Sequence, residues 1–367
     1  MIQRKKTREV KIGNLTIGGD NPIRIQSMTT TKTTDIEATV KQILELEKAG
    51  CEIIRVTVPT MEAAMVLSDI KKQIHIPLVA DVHFQYQFAL EAVKQGVDKI
   101  RINPGNIGGK EKVEKIVRAC KEKGIPIRIG INMGSLEKDL FAEYGNRGIP
   151  FVMVKSAERN IKLLEELGFF DIVVSLKGSN VLTTIEAYEL FTKKYNYPVH
   201  LGITEAGTLW NGSIKSAVGI GSILSRGIGD TIRVSLSADP VEEVKVGWQI
   251  LKSLGLRQRG INFISCPTCG RTEIDLIGLA NRVEKTLKGV EAPITVAVMG
   301  CVVNGPGEAS TADIGLYGGK KQAAILRGDR VVARVKEKEA HKRFLEEVKK
   351  LLIEKGYRAD VLKIKNL

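Results

Sequence analysis

Short apolar runs recur along the chain as far as residue 237, and segments with helical spacing of apolar positions separate them. The runs lie at 23–29, 52–58, 77–84, 99–105, 126–132, 171–177, 198–205 and 231–237. One helical segment, 35–49, is followed by Gly50, a residue type that commonly terminates helices. Eight strand–helix units over roughly 230 residues match a (β/α)8 barrel in number and length. We therefore predict an α/β fold whose first domain, residues 1–257, is a TIM-type barrel.

The pattern changes after a short linker at 257–260. Apolar runs then follow at 261–264, 294–299, 312–318, 322–328 and 330–336, and an amphipathic helix is expected at 337–354. We predict that residues 258–367 form a smaller α+β domain. At the other end of the chain, residues 10–20 have the pattern of a hairpin turning at Gly13, and we expect it to close the floor of the barrel.

Polar residues interrupt the barrel strands at alternating positions. Side chains alternate between the two faces of a strand, and the outer face of a barrel must be apolar because it packs on helices. The polar residues are therefore expected to point inward or to the mouth. They are Arg55, Asp81, His83, Arg101, Asn103, Arg128, Asn132, Lys177, Glu205, Arg233 and Ser235.

Five of these residues are cations, and only Asp81 and Glu205 are carboxylates. Unpaired buried charge is unfavourable by several kcal/mol per ion, so we expect a bound anion. Guanidinium groups suit phosphate oxygens, and active sites of this fold lie at the carboxyl ends of the strands. The chain has no Gly-x-Gly-x-x-Gly or Walker motif, so the anion predicted here is a phosphorylated small molecule rather than a nucleotide.

The overall charge adds little to this picture. The formal net charge is +14, but aromatic residues make up only 5% of the chain and no basic stretch interleaves them, so a nucleic-acid-binding module is not favoured. No apolar run reaches the roughly 18 residues of a membrane helix, and we expect no membrane partner. The basic N-terminus lacks the apolar core of a signal peptide, which predicts a cytoplasmic protein.

Three of the five cysteines follow predicted strands in the second domain: Cys266 and Cys269 form a Cys-x-x-Cys pair, and Cys301 follows a later run. If the two strands are parallel neighbours, their ends bring the three sulfurs together. An iron–sulfur cluster with three cysteines and a weaker fourth ligand, for which Glu308 is the nearest candidate, fits this set. A structural zinc site and a plain thiol pair remain open on the residues alone.

Two local features and two remaining cysteines complete the expectations. Thr272 is expected to open the helix after the thiol pair, with Asp275 as its capping-box partner. Residues 304–308 are expected to form a glycine-rich turn that passes close to a bulky group. Cys51 and Cys120 end helical patterns and are expected to be buried apolar side chains.

The chain resembles a known family in a set of motifs that spans nearly its whole length. The motifs read IRIQSMTTTKT (23–33), ADVHF (80–84), RINPGNIG (101–108), LGITEAG (201–207), RVSLSADP (233–240), SCPTCGR (265–271) and MGCVVNGPGEA (299–309). By these the chain is similar to the 4-hydroxy-3-methylbut-2-en-1-yl diphosphate synthases, in their two-domain bacterial form. Cys-Pro-Thr-Cys-Gly-Arg together with Asn-Gly-Pro-Gly-Glu is the most specific part of the resemblance.

The resemblance implies an oxidoreductase of non-mevalonate isoprenoid biosynthesis. It would convert 2-C-methyl-D-erythritol 2,4-cyclodiphosphate into (E)-4-hydroxy-3-methylbut-2-enyl diphosphate. Reduced flavodoxin or ferredoxin would supply two electrons through a [4Fe-4S] cluster. The resemblance also implies a head-to-tail homodimer. The alternative is a zinc-containing barrel hydrolase or lyase acting on a phosphorylated small molecule.

The resemblance also implies a role for each site residue. The cluster ligands would be Cys266, Cys269, Cys301 and Glu308. The substrate-binding residues would be Arg55, Asp81, His83, Arg101, Asn103, Arg128, Asn132, Lys177, Arg233 and Ser235. Glu205 would be the catalytic acid at the substrate hydroxyl.

Overall fold

The structure is a computed structural model that describes residues 2–103 and 107–364. These residues divide into two compact units, Met1–Arg257 and Gln258–Leu367. The end of the apolar run predicted at 99–105 lies outside the described residues. Within the described ranges, no helix is long and apolar enough to span a membrane.

The N-terminal unit begins with an antiparallel hairpin of β1 (Val10–Ile12) and β2 (Leu15–Ile17). Its buried residues form one apolar cluster with three residues near the starts of barrel strands, namely Ile53, Val79 and Val173. The hairpin therefore lies at the amino-terminal end of the barrel strands, where the sequence pattern placed it.

Parallel strands then form the barrel, and the predicted (β/α)8 fold is confirmed. The strands are β3 (Arg24–Met28), β4 (Ile53–Thr57), β5 (Leu78–Asp81), β6 (Lys99–Ile102), β7 (Ile127–Asn132), β8 (Ile172–Lys177), β9 (His200–Leu201) and β10 (Thr231–Ile232). Their order in the sheet is β8-β7-β6-β5-β4-β3-β10-β9. All eight predicted runs contain one of these strands, although β9 and β10 keep only two residues each.

Helices surround the barrel strands. In the described part of this unit the α-helices are Ile36–Ala49, Met61–Met65, Leu67–Lys71, Tyr86–Lys94, Lys110–Lys123, Lys138–Tyr144, Ile149–Glu166, Val181–Lys194, Leu209–Ser225 and Pro240–Ser253, and the 3-10 turns are Met133–Ser135 and Gly145–Arg147. The first helix shows why these segments fold locally. Its N-cap Asp35 accepts a hydrogen bond from the Ala38 amide, and Gly50 ends it at φ 100°.

The barrel closes between β8 and β9, where the strand ladder is thinnest. A bridge from Val174 to Val199 joins the two sides there, and just beyond the strands the Thr204 amide donates to the Gly178 carbonyl at 3.2 Å. The buried Tyr188 hydroxyl completes the seam: it accepts a hydrogen bond from the Leu176 amide at 3.0 Å and donates one to the His200 carbonyl at 2.7 Å. A side chain from the helix outside the barrel thus replaces a backbone hydrogen bond of the ladder.

The C-terminal unit is a five-stranded sheet with helices. Its strands are β11 (Asn262–Ser265), β12 (Thr295–Met299), β13 (Ile314–Gly319), β14 (Gln322–Arg327) and β15 (Arg330–Lys336). β11, β12 and β13 are parallel, whereas β13, β14 and β15 are antiparallel. The described helices are Leu276–Leu287, Gly305–Ser310, Glu337–Glu354 and Arg358–Val361. Apolar side chains of the sheet and the long helices share one core.

Two local expectations were wrong. Asp275, and not Thr272, is the N-cap of the helix Leu276–Leu287, where its carboxylate accepts from the Gly278 amide. The linker is also shorter than 257–260, because Arg257 donates to Ile23 O and pairs with Glu52, both in the barrel unit. In both cases a side-chain contact determines where the helix or the linker begins, and the local sequence pattern does not predict that contact.

Tyr188→Phe tests the seam. The substitution leaves the Leu176 amide and the His200 carbonyl without a partner in a buried place, and each such group is unfavourable by about 1–3 kcal/mol. We expect a lower free energy of unfolding in urea. Tyr86→Phe is the control, because no hydrogen bond to the Tyr86 hydroxyl is present among the described residues. Equal stability of the two variants would show that the hydroxyl does not hold the seam.

Candidate functional site

Three charged residues lie side by side on adjacent strands of the barrel. Asp81 is the register partner of Arg101, and Arg101 is the register partner of Arg128. All three are at least nine-tenths buried. Since register partners on parallel strands place their side chains on the same face, the three form a charged row inside the barrel.

Asp81 is the carboxylate that the nearby cations share. Its Oδ1 accepts from Arg101 NH1 at 3.0 Å, and Arg55 Nε lies 3.8 Å from its Oδ2. His83 Nε2 is 3.5 Å from the same carboxylate. Burial alone would raise the pKa of Asp81, but the positive charge of Arg55 and the His83 hydrogen bond hold it well below its usual range. Asp81 is therefore ionised at neutral pH.

Arg55 lacks a close oxygen partner. Its Nε and NH2 donate to the Met28 sulfur at 3.1 and 2.9 Å. A thioether is a weak acceptor, so this contact leaves most of the hydrogen-bonding capacity of the guanidinium unused. Burial lowers the pKa of Arg55 to about 10, and the charge of Asp81 opposes that shift.

Arg128 and Lys177 are also buried with little compensation. Arg128 NH1 donates to Ser175 Oγ at 3.1 Å, while its Nε and NH2 have no hydrogen-bond partner. Within the described ranges, no hydrogen bond or ion pair reaches Lys177 Nζ. Burial, followed by the charges of Arg128 and Arg55, lowers the pKa of Lys177 well below its ordinary value.

Sequence reasoning missed a sixth interior cation, Lys99. It is fully buried at the start of β6, and its Nζ lies 3.4 Å from Gln26 Oε1. Burial and the charges of Arg128 and Arg55 lower its pKa. The sequence contained the information needed to predict this, because residues 99 and 101 are two apart on one strand and therefore point to the same face.

Arg233 has a carboxylate partner that the sequence did not reveal. Its NH2 and Nε lie 3.1 and 3.3 Å from the two oxygens of Glu243, in the helix Pro240–Ser253. Glu243 is buried and also accepts from the Ser27 hydroxyl and the Leu236 amide. The expectation that Glu205 supplies the second interior carboxylate is therefore wrong, because Glu243 holds that place.

The charge balance of the barrel interior follows from these contacts. Six cations (Arg55, Lys99, Arg101, Arg128, Lys177 and Arg233) face two carboxylates (Asp81 and Glu243), which leaves a formal excess of four if every lysine is protonated. Nitrogens without a partner remain on Arg101 and Arg128. This arrangement suits an anion with several oxygens, such as a diphosphate.

Two glycines make room for these long side chains. A Cβ on Gly130 would lie 2.5 Å from Arg101 Nε, and a Cβ on Gly202 would lie 2.7 Å from Lys177 Nζ. Real Cβ atoms do not approach other atoms this closely. The cations therefore lie directly against the backbone of the neighbouring strands, where a larger residue would displace them.

The remaining residues lie around this cluster. Asn103 is buried just beyond β6, Asn132 ends β7 in register with Lys177, and Ser235 is half-buried beyond β10. Glu205 is exposed, and no ion pair to its carboxylate exists among the described residues. Its φ of 52° is unusual for a residue with a Cβ, and such strained conformations concentrate at functional sites.

In the other unit, Gly300 connects the three segments that carry the thiols. Its amide donates to the Cys266 sulfur at 3.3 Å, its carbonyl accepts from Glu273, and Cys301 is the next residue. A turn between Cys269 and Thr272, closed by hydrogen bonds of 3.0 and 3.2 Å, packs against Gly300. Thr272 therefore fixes the Cys269 turn and does not begin the helix.

The segments that carry the three thiols are in contact, but the thiols are not arranged as the ligands of a metal ion. In 2–103 and 107–364, no group of three or more His, Cys, Asp or Glu side chains is arranged to hold a metal ion. Cys269 is exposed, while Cys266 and Cys301 are half-buried. The amides of Asn304 and Val303 lower the pKa of Cys301. Three thiols lie on segments that meet at Gly300, and backbone amides are directed at the sulfurs of Cys266 and Cys301. Thiolates with such amide partners are the ligands that iron–sulfur clusters use.

The segment after Cys301 forms a short helix, Gly305–Ser310, rather than the expected glycine-rich turn. Gly305 packs this helix onto β13, because a Cβ there would lie 2.7 Å from Tyr317 Cβ. A Cβ on Gly307 would meet nothing, so the outer side of the helix is open. Glu308 lies exposed in the first turn.

The two remaining cysteines are buried. Cys51 is 3% exposed and Cys120 is fully buried, and burial raises the pKa of each thiol to about 12. Both are therefore protonated apolar side chains, as predicted.

Comparison with protein families gives the same picture for both units. A family model described as the GcpE TIM-barrel domain matches residues 7–248, and one described as the GcpE protein C-terminal domain matches residues 262–350. The chain belongs to the GcpE family. This membership confirms the resemblance inferred from the motifs.

Individual GcpE relatives are similar over nearly the whole chain. A protein of Clostridium perfringens, named 4-hydroxy-3-methylbut-2-en-1-yl diphosphate synthase (flavodoxin), is 59% identical over 92% of this chain and 97% of that protein. A protein of the same name from Caldanaerobacter subterraneus is 58% identical over 96% of this chain and 99% of that protein. The dihydropteroate synthase of Yersinia pestis shares the fold alone, with 13% identity and a TM-score of 0.50 over 67% of this chain and 98% of that one.

The lowered pKa of Lys177 predicts proton uptake on anion binding. A bound anion favours the charged ammonium and raises that pKa, so the protein takes up protons, and affinity falls as pH rises between the free and bound values. Titration calorimetry with inorganic diphosphate, in two buffers of different ionisation enthalpy, measures the uptake. We expect Lys177→Met to reduce it, and Lys193→Met, an exposed lysine outside the barrel, to leave it unchanged. Equal proton uptake in all three proteins would contradict the assignment.

Proposed function

We propose that this chain catalyses the reductive opening of 2-C-methyl-D-erythritol 2,4-cyclodiphosphate to (E)-4-hydroxy-3-methylbut-2-enyl diphosphate, the activity named for its GcpE relatives. The excess of cations inside the barrel is the observation that carries the proposal, because it matches a substrate with two phosphates. Family membership gives no support to the zinc-containing hydrolase or lyase alternative.

The charge of the product explains why the interior holds more cations than it neutralises. Opening the ring breaks a carbon–oxygen bond to phosphate and removes a hydroxyl as water, with two electrons and one net proton consumed. The linear diphosphate then carries one negative charge more than the cyclic substrate. Cations already fixed around the phosphate stabilise that charge as it develops, without having to reorganise.

The substrate-binding roles follow from the contacts in the barrel. We assign phosphate binding to the cations with unused donors, Arg55, Arg101, Arg128 and Lys177, and to Arg233. Asp81 and His83 orient Arg101, and Asn103, Asn132 and Ser235 supply neutral polar groups near the mouth. Lys99 lies deeper, beside Gln26, and adds to the positive field from below.

The electrons require a redox group, for which the three thiols are the available ligands. We propose that Cys266, Cys269 and Cys301 hold a [4Fe-4S] cluster, with Glu308 as the fourth ligand. When bound, the cluster supplies electrons singly and offers an iron with an exchangeable ligand. A carboxylate binds such an iron more weakly than a thiolate does, and Glu308 lies on the open side of its helix.

Glu205 is the proposed proton donor for the hydroxyl that leaves. Its carboxylate is exposed just beyond β9, at the carboxyl ends of the strands where the reactions of this fold take place. Its backbone carbonyl accepts a hydrogen bond from Lys215 at 3.4 Å, which helps to fix the strained turn.

Reduced flavodoxin is the proposed electron donor, since the relatives carry it in their names, and ferredoxin is the alternative.

We also propose a homodimer. The helix Leu209–Ser225 carries an exposed apolar stripe at four-residue spacing, made of Trp210, Ile214 and Val218, and such stripes are typical of interfaces. The head-to-tail arrangement and the cytoplasmic location stay predictions. Sedimentation velocity tests the dimer: a monomer at micromolar concentration would contradict it.

The proposed cluster has a direct chemical test. Anaerobically purified protein should contain iron and acid-labile sulfide and absorb visible light, and it should open the cyclic diphosphate when a reductant is supplied. Cys266→Ser should lose most of its iron, because it removes one of three thiolate ligands. Cys51→Ser is the control and should keep its iron, since that thiol is buried in the barrel unit. Stoichiometric zinc without sulfide would exclude the cluster.

Glu205→Gln separates chemistry from binding. The amide keeps the size of the side chain but has no acidic proton, so we expect turnover to fall about 10²–10⁴-fold. Iron content and affinity for the cyclic diphosphate should stay unchanged, because among the described residues no ion pair joins the Glu205 carboxylate to the cations inside the barrel. Glu186→Gln, on an outer helix, is the control. Normal turnover of Glu205→Gln would remove this residue from the mechanism.

A further inference from the structure

The hairpin that joins β13 to β14 presents two lysines at its tip. Gly319 pairs with Gln322, so Lys320 and Lys321 alone form the turn, and both are exposed. Lys321 has φ 54°, a conformation that two-residue hairpin turns usually give to glycine or asparagine. A lysine there is unfavourable for folding, and residues in strained conformations often have a function.

The hairpin tip lies against the segment that follows Cys301. A Cβ built on Gly319 would be 3.2 Å from Val302 Cγ1, which places the two loops in contact. Val302 and Val303 are 51% and 61% exposed, although both are apolar. We name Val302, Val303, Lys320 and Lys321 the valine–lysine patch. It joins a small apolar surface to two positive charges immediately beside a proposed cluster ligand.

The charges of the patch are not neutralised locally. Within the described residues, no ion pair involves Lys320 or Lys321, although Glu273 and Glu337 are nearby. The Glu337 carboxylate accepts from the Asp275 amide instead. The unit as a whole is basic: residues 258–367 contain 20 Lys and Arg against 13 Asp and Glu, a net charge of +7. This is half of the net charge of +14 in less than a third of the chain.

We propose that the valine–lysine patch is the docking surface for an acidic one-electron carrier protein. The proposal rests on the proposed function, since it presumes a redox group held by the neighbouring thiols. Charge complementarity speeds encounter and orients the partner, and a small apolar centre beside charges suits a transient complex. A carrier bound there would place its redox centre next to the Cys301 segment, and electron transfer would need no further rearrangement of the sheet.

The test compares two double variants that change the charge equally. Lys320→Glu with Lys321→Glu alters the patch, and Lys285→Glu with Lys288→Glu alters the far end of the helix Leu276–Leu287 in the same unit. Affinity for an acidic flavodoxin is measured directly by titration at low and high salt. Turnover is measured with reduced flavodoxin and, separately, with dithionite, which needs no docking surface.

We expect the patch variant to bind flavodoxin about tenfold more weakly at low salt, with a smaller salt dependence. Its turnover with dithionite should equal that of the unchanged protein, and the control variant should bind flavodoxin nearly normally. Equal weakening in both variants would reduce the effect to net charge and overturn the proposal, as would unchanged binding in the patch variant.

Two further outcomes separate this proposal from the proposed function. If the patch variant loses turnover with dithionite as well, the patch serves the substrate site or another copy of the chain, and docking of a carrier is wrong. If the unchanged protein shows no turnover with dithionite, the proposed function fails. The binding titration still decides whether the patch recognises an acidic flavoprotein, because it requires no turnover.

Discussion

The barrel interior buries more positive charge than it neutralises, and the rest of the site is arranged around that excess. Burying an ion is unfavourable by several kcal/mol even after relaxation, and here six cations share two carboxylates. Lysine and arginine respond differently to this constraint. The buried lysines can lose a proton, as the lowered pKa values of Lys99 and Lys177 indicate. The guanidinium groups largely remain charged, and the surrounding structure must hold them in place.

Several features of the fold serve that purpose. Asp81 is kept ionised between two guanidinium groups, and Glu243 reaches in from a helix to hold Arg233. Glycines on neighbouring strands let Arg101 and Lys177 lie against the backbone. Each feature limits the movement of a cation without consuming all of its donors. Donors on Arg101 and Arg128 remain unpaired in place, which is the preorganised arrangement that electrostatic stabilisation of an anion requires.

The sequence predicted the barrel and most of its charged row because a period of two residues determines which side chains face inward. The same rule applied to Lys99, which sequence reasoning overlooked. The two-residue rule for strands could not identify Glu243, because this residue lies in a helix. Glu242 and Glu243 are both in the first turn of that helix, and only tertiary packing determines that Glu243 is the one buried. The thiols show a different limit. The spacing of the cysteines identified the segments that carry them. Three sulfurs do not attract one another without a metal, and in the described residues they are not arranged to hold one. The contact that joins these segments is made by Gly300, whose amide donates to the Cys266 sulfur.

The seam between β8 and β9 has a consequence for how the barrel and its ligand depend on each other. Lys177 is the last residue of β8, on one side of the seam. Arg233 follows β10, which is paired with β9 on the other side. Below them the two sides are joined by one bridge and a tyrosine hydroxyl. Beyond the strand ends the Thr204 amide donates to the Gly178 carbonyl at 3.2 Å, and an anion held by both cations would add a second link at this end of the seam. A ligand bound in this way would stabilise the folded barrel as well as occupy its site, because it binds only when both sides of the seam are in place.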